Sequence, residues 1–195
     1  MARKTTFQQI RDLDIKHQGV LAAYLCERML PNYELFAQSS GFGDSKVLRG
    51  GLNAVWDKLA VNKGADWQRW QEKLEECTPN EHAFDVLGMF PAIAACTALS
   101  SLMQGIEDRE GAPLLDVAKT SQDSVAHFLE LSEFADIDDS NERAAAIEQH
   151  PLTTYEQEVQ QAMVAFLQDT AVIDKELVRE VRAIARDEGV SNLGL

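Results

Sequence analysis

The chain has 195 residues and a net charge of −14, from 18 Lys/Arg against 32 Asp/Glu. This length fits a single domain, residues 1–195, which can bury a sizeable core without a metal or a disulfide framework. The acidic balance disfavours nucleic acid and anionic membranes as partners, because both are bound mainly through Lys and Arg.

Apolar residues recur at helical spacing along the chain, and no segment alternates apolar and polar residues at a period of two. We therefore predict an all-α domain, a bundle of seven to nine helices. The first helix is expected to begin at Thr5 or Thr6. A stronger pattern follows Gly19, and Pro31 is expected to interrupt it because proline removes a helical hydrogen bond.

A glycine-rich turn at residues 41–44 precedes the third helix, for which Asp44 or Ser45 is the expected N-cap. A short amphipathic helix follows and ends near Thr78. The tryptophans of these two helices are interpreted as core anchors rather than as a stacking platform for bases. They are Trp56, Trp67 and Trp70.

Residues 84–106, FDVLGMFPAIAACTALSSLMQGI, carry a single charge, Asp85, and their apolar side chains cover every side of a helix. Such a helix is expected to be buried. Polar and helix-breaking residues dilute the segment, so we predict the central helix of a soluble bundle rather than a membrane span. Pro91 is expected either to kink this helix or to mark its first turn.

A long helix is predicted from Leu114 to Phe134, with a polar Ser121 in the middle of its apolar stripe. Residues 135–153 are acidic and poor in large apolar side chains, which is typical of a connector. The acidic residues of the second half are interpreted as a solvated surface rather than a docking face.

Two further helices are predicted after the connector. The first carries an apolar stripe, and the second is capped by Asp174. The stripe consists of Tyr155, Val159, Met163 and Phe166.

The common catalytic and cofactor motifs are absent from the sequence. Gly41 and Gly43 open a helix and could offer amides to a phosphate, but they follow a helix rather than a strand. His127 and Glu130 have the three-residue spacing of a ferritin-like metal site, in reverse order and without a second copy. We therefore expect no metal, no cofactor and no catalytic residue.

Glu27 and Arg28 fall on or beside the apolar face of the second helix, where unpaired charges would be costly. The structural interpretation is that Arg28 meets Asp44 or Asp85 in a buried ion pair. One alternative is chemical: Arg28 activates a Cys26 thiolate, or Glu27 acts as an acid or base. Another is a pocket for a ligand or partner, without chemistry.

If the chain has a site, we expect it where charges on apolar helical faces converge, and not in the acidic second half. The candidate residues are Glu27, Arg28, Tyr33, Asp44 and Asp85.

The three cysteines are too few for a secreted disulfide framework, and the N-terminal segment lacks the apolar core of a signal peptide. We expect a reducing, cytoplasmic setting. Cys26 and Cys96 lie in apolar helical runs and are predicted to be buried, unbridged thiols. Cys77, near a helix end, is predicted to be more accessible.

Several runs of the sequence resemble the YjaG-like family, catalogued as domain-of-unknown-function family 416. They are CERMLPNY at 26–33, GFGD at 41–44, FD at 84–85, PAI at 91–93, AC at 95–96 and SNLG at 191–194. The resemblance spans essentially the whole chain. It implies a compact, all-helical bacterial protein of this length and carries over no activity, cofactor or functional residue.

For function, we expect a non-catalytic cytosolic protein that acts through contact with another protein or with itself, because helical bundles readily pair through apolar faces. The alternative is a small-molecule-binding protein or enzyme, with an unidentified ligand, whose polar pocket contains Glu27, Arg28, Asp44 and Asp85.

Overall fold

The computed structural model describes residues 4–84, 86–187 and 190–195, and within these ranges the chain forms nine helices and no strand. The all-α prediction is confirmed. The helices are α1 (Thr6–Asp12), α2 (Ile15–Ser40), α3 (Ser45–Val61), α4 (Trp67–Cys77), α5 (Met89–Asp108), α6 (Gly111–Ser132), α7 (Ser140–Glu148), α8 (Pro151–Gln168) and α9 (Lys175–Asp187).

Helices α2, α5 and α6 pack against one another and form the centre of the bundle. Every residue of α2 from 17 to 30 is buried, including charged ones. Helices α3 and α9 cover one side of α2, while α8 packs against both α2 and α6. The predicted central helix is α5, which begins at Met89, so Pro91 lies in its first turn rather than at a kink.

The predicted interruption at Pro31 is wrong, because α2 continues through it to Ser40 and ends at Gly41 in the left-handed conformation (φ 70°). Proline removes one backbone donor from a helix. Here the neighbouring side chains are buried on both sides of it: Arg28 and Met29 before, Asn32 and Tyr33 after. Tertiary packing of the helix therefore outweighs the local defect.

The predicted connector at 135–153 is also wrong, since it contains α7 and the start of α8. The Asp139 side chain accepts hydrogen bonds from the amides of Asn141 and Glu142, which caps α7. Alanines favour helix, and Pro151 occupies the first turn of α8. Helix α7 buries none of its residues, which explains why its composition resembles that of a connector.

The buried face of α8 differs from the predicted apolar stripe. Tyr155 and Phe166 are more than one-third exposed, whereas Glu156 and Gln160 are completely buried. Two polar residues therefore occupy the inner face, which apolar periodicity alone does not indicate.

Among the described residues, one helix, α5, is long and apolar enough to cross a membrane, yet 61% of its apolar window is buried inside the bundle. The core helix of a soluble protein has this character, so α5 fits its predicted role as a central helix.

All three cysteines are free and buried, including Cys77, which is only 6% exposed. The prediction that Cys77 is accessible is wrong because it lies on the inner side of the last turn of α4. Burial raises the pKa of Cys96 to about 12. Burial and the neighbouring Glu27 carboxylate raise the pKa of Cys26 still further, which disfavours a reactive thiolate there.

We expect a thiol reagent at neutral pH to react slowly with all three cysteines of the native protein and rapidly once urea unfolds it. The physical reason is that burial restricts access and keeps the Cys26 and Cys96 thiols protonated. Mass spectrometry of the labelled peptides checks each site. Fast labelling of Cys26 in the native state would contradict this packing.

Candidate functional site

Arg28 forms a buried ion pair with Glu156 of α8. Its Nη1 donates to Glu156 Oε2 at 2.5 Å, and each side chain is only 1% exposed. Burial alone would lower the pKa of Arg28, but the Glu156 carboxylate more than offsets this and raises it. The predicted pairing of Arg28 with Asp44 is therefore wrong, and Asp85 lies outside the described residues.

The Glu156 carboxylate is held by two further donors. Ser121 Oγ of α6 donates to Glu156 Oε1 at 2.7 Å, and Gln160 Nε2 donates to the same oxygen at 2.9 Å. Gln160 Nε2 also donates to the backbone carbonyl of Ala118 at 3.0 Å. Such bonds satisfy a buried carboxylate whose desolvation would otherwise be costly.

The chain segment after α9 completes this network through Asn192, which is 0% exposed. Its Nδ2 donates to Ser124 Oγ at 2.9 Å, and its Oδ1 accepts from Asn32 Nδ2 at 2.8 Å. Its backbone amide donates to the carbonyl oxygen of Arg28 at 3.1 Å. The segment at 190–195 is thus fastened to α2 and α6.

Two aromatic rings accompany the Arg28 guanidinium. Its central carbon lies 5.9 Å from the ring centroid of Tyr24 and 5.7 Å from that of Tyr155. Arg28 Nε and Nη2 have no hydrogen-bond acceptor among the described residues. The negative faces of the rings stabilise the cation where acceptors are missing.

Glu27 belongs to a different polar cluster, on the side of α2 that faces α3 and α9. Its Oε1 accepts from Arg49 Nη1 and from Arg186 Nε (2.7 Å), and its Oε2 accepts from Trp56 Nε1 at 2.8 Å. Burial alone would raise the pKa of Glu27, but the bonds from Arg186, Arg49 and Trp56 outweigh it and lower that pKa. Glu27 is therefore charged at neutral pH, unlike a poised acid or base.

Tyr33 and Asp44 both lie near the turn that joins α2 to α3, and each has a structural hydrogen bond of its own. Tyr33 Oη donates to the backbone carbonyl of Cys77 at 2.8 Å and so caps the end of α4. The Asp44 carboxylate instead accepts from the amide of Lys46 and caps α3. Gly43 (φ 77°) lies between them, and a Cβ there would come within 2.0 Å of Tyr33 Oη.

The four predicted site residues that the structure describes are therefore dispersed over three separate arrangements. Glu27 faces α3 and α9, Arg28 faces α6 and α8, and Tyr33 and Asp44 lie at the turn after α2. Sequence reasoning missed the residues that complete the Arg28 network. Ser121 gave a signal, as a polar residue in an apolar stripe. Glu156 gave none, because nothing in the sequence distinguishes it from the exposed Glu158 on the same helix.

Glu27, Arg28, Tyr33 and Asp44 line neither the groove at the ends of α3 and α5 nor the pocket between α3 and α9. Among the described residues, no group of three or more His, Cys, Asp or Glu side chains is arranged to hold a metal. The buried networks fix helices to one another.

A family model described as "Protein of unknown function (DUF416)" matches residues 5–195. The chain belongs to the DUF416 family. It is 36% identical over 175 residues to the uncharacterized protein YjaG of Escherichia coli K12, covering 89% of this chain and 87% of that protein. It is 29% identical over 198 residues to an uncharacterized protein of Haemophilus influenzae, covering 99% and 97% of the two chains.

The fold is also similar to the crystal structure of a DUF416 family protein from Shewanella baltica. The TM-score is 0.92 at 29% identity, with 99% of each chain covered. The family and the all-helical architecture expected from the sequence runs are thus confirmed.

In this DUF416 protein, we expect Arg28→Ala to lower the free energy of unfolding by roughly 3 to 5 kcal/mol, because it leaves the Glu156 carboxylate buried without its cation. The matched comparison is Asp44→Ala, which removes only a helix cap and should cost about 1 kcal/mol. Urea unfolding of both variants measures the difference. A cost of about 1 kcal/mol or less for Arg28→Ala would contradict a structural ion pair.

Glu27→Gln should lower stability by about 2 kcal/mol at neutral pH, because a charged acceptor of three hydrogen bonds is lost. The pKa of Glu27 in the folded protein lies below its ordinary value of 4.5, so its charge contributes stability above that pH, and this contribution is lost as pH falls through the folded pKa. The difference from wild type should therefore shrink towards pH 3, as followed by urea unfolding at several pH values.

The control for this experiment is Glu34→Gln. Glu34 is more exposed and lies 3.8 Å from the same arginine, Arg49. Its loss should cost about 0.5 kcal/mol or less. An effect of Glu27→Gln that is independent of pH would show that the carboxylate charge does not stabilise the fold.

Proposed function

We propose that this protein is a non-catalytic, cytoplasmic binding protein that docks an acidic segment of another protein. The docking site is a groove where α3 and α5 end and α2 begins, with a volume of about 450 Å³. We call it the basic groove. It is lined by Ile15, Lys16, Lys58, Leu59, Ala60, Val61, Asn62, Ile106 and Arg109.

The charge of the groove is the observation that carries the proposal. Its lining contains three cations, Lys16, Lys58 and Arg109, and no carboxylate. In the whole chain, acidic residues outnumber basic ones by 32 to 18. The acidic residues that flank Arg109 in sequence do not line the groove. A locally positive surface on an acidic protein favours a short acidic segment over a long polyanion, which the rest of the surface would repel.

The cations of the groove are available to a partner. Lys16 Nζ donates to the carbonyl oxygen of Ile173 at 2.6 Å, which positions the ammonium without neutralising it. Within the described part of the chain, Lys58 and Arg109 have no carboxylate within ion-pair distance. Partner carboxylates would therefore gain charge pairs without displacing existing ones.

Leu59 and Ile106 form an apolar floor to the groove, and both pack closely against Gly19 of α2. A Cβ at Gly19 would lie 2.8 Å from Ile106 Cδ1 and 3.1 Å from Leu59 Cδ2. The absence of a side chain lets both residues settle towards α2. Val61, on the rim, is 53% exposed. The shape fits an apolar side chain of the partner flanked by carboxylates.

The buried polar clusters support a role without catalysis, since Glu27 is fully engaged by Arg49, Arg186 and Trp56, and the thiol of Cys26 is kept protonated by burial. The unbridged cysteines support the cytoplasmic assignment. The alternative of an enzyme or small-molecule pocket around Glu27, Arg28, Asp44 and Asp85 gains no support from the basic groove, whose lining includes neither Glu27, Arg28 nor Asp44.

The test is a photo-crosslinking amino acid placed at Val61 in the native cell. We expect an adduct whose partner peptide is rich in Asp and Glu. The double variant Lys58→Glu/Arg109→Glu should reduce its yield about tenfold, because two attractions become repulsions. The control is Lys46→Glu/Arg69→Glu, which makes the same change of net charge at exposed positions outside the groove and should leave the yield unchanged.

Thermal unfolding checks that the variants fold, and each charge reversal at a helix C-terminus should cost roughly 1 to 2 kcal/mol. A partner peptide without acidic residues would overturn the proposal. So would an adduct insensitive to the charge reversals. An adduct between two copies of this chain would assign the groove to self-association instead.

A further inference from the structure

A second pocket lies beside the basic groove, between α3 and α9, and shares Ala60 and Val61 with it. Its volume is about 250 Å³. We call it the α9 pocket. It is lined by Trp56, Asp57, Ala60, Val61, Lys175, Val178, Arg179 and Arg182.

Three cations of α9 face this pocket. Lys175, Arg179 and Arg182 follow one another at spacings of four and three residues, which places them on one side of the helix. The lining has one carboxylate, Asp57, which already pairs with Lys63 at 2.9 Å. The acidic residues of α9, Glu176 and Glu180, are exposed and do not line the pocket. The lining therefore carries an excess of two positive charges.

Arg182 is held in a fixed position at the inner end of the pocket. Its Nη2 donates to Asn53 Oδ1, and its guanidinium carbon lies 6.0 Å from the ring centroid of Trp56. Its Nε is buried and does not itself face the pocket. A guanidinium that is fixed in advance loses little entropy when it binds an oxyanion.

Positive charge also accumulates behind Arg182. Burial lowers its pKa, and the neighbouring guanidinium groups of Arg186 and Arg49 lower it further, although Glu27 and Asp57 act in the opposite direction. Both Arg49 and Arg186 converge on the single carboxylate of Glu27. A bound anion would relieve this repulsion.

We propose that the α9 pocket binds a phosphate monoester dianion. A double negative charge matches the excess of two cations, and guanidinium groups match the geometry of phosphate oxygens. Trp56, Ala60, Val61 and Val178 supply an apolar wall for the carbon part of the ester. A small phosphorylated metabolite and a phosphorylated side chain of a protein share this chemistry.

The inference does not rest on the acidic-partner proposal, since it depends on α9 rather than on Lys16, Lys58 and Arg109. The experiment is isothermal titration of the full chain at fixed ionic strength with glycerol 3-phosphate in one arm and a phosphoserine peptide in the other. We expect saturable binding of at least one. Tighter binding of the peptide identifies a phosphoprotein as the source, and tighter binding of glycerol 3-phosphate identifies a metabolite.

The variant Lys175→Gln/Arg179→Gln should weaken binding about tenfold, because it removes two charge-assisted hydrogen bonds to the phosphate. Both residues are exposed, so the fold should be retained. The control is Lys46→Gln/Arg69→Gln, which makes the same charge change at exposed positions outside the pocket and should leave binding unchanged. Absence of saturable binding in both arms would overturn the proposal, as would equal weakening by test and control variants.

Discussion

The burial of the Arg28 guanidinium is the constraint on which much of the bundle depends. An arginine keeps its charge in a protein, so its removal from water must be compensated by a partner and by hydrogen bonds. The compensation comes from several helices at once: the carboxylate of Glu156 on α8, the rings of Tyr24 and Tyr155, and the Ser121 hydroxyl that fixes the carboxylate from α6. A shift of α2 relative to α8 would leave both buried charges without a partner, and a shift of α6 would remove a hydrogen bond from the carboxylate.

Adjacent charges on α2 act in different directions. Successive residues of a helix are separated by about 100° around its axis, and Glu27 accordingly reaches Arg49 and Arg186 while Arg28 reaches Glu156. These ion pairs add a requirement for a particular register of the helices, because a displaced partner would leave a buried charge unpaired. One dipeptide thus fixes α2 relative to the α3/α9 side and to the α6/α8 side of the molecule.

The sequence was sufficient to predict most helices, because periodicity and capping residues such as Thr5, Asp44 and Asp174 act locally. It also indicated that Arg28 would be buried with a partner. It could not identify that partner, since Glu156 lies 128 positions away and looks no different in sequence from the exposed Glu158 on the same helix. The continuation of α2 through Pro31 was likewise unpredictable from local preference, because packing from several helices decides it.

The position of Asn192 has a consequence for how the chain folds while it is being synthesised. The side-chain amide of Asn32 bonds to Asn192, which is synthesised 160 positions later, and Arg28 pairs with Glu156, which is synthesised 128 positions later. At synthesis rates of about 5 to 20 residues per second, the first of these delays lasts roughly ten to thirty seconds. During that interval α2 carries an apolar surface and a cation without a counterion, which a nascent chain cannot bury on its own. The loops closed by these contacts are long, and long loops slow folding. Stable structure around α2 is therefore expected to form late, after most of the chain has left the ribosome, and a binding factor that shields α2 in the meantime would limit its aggregation.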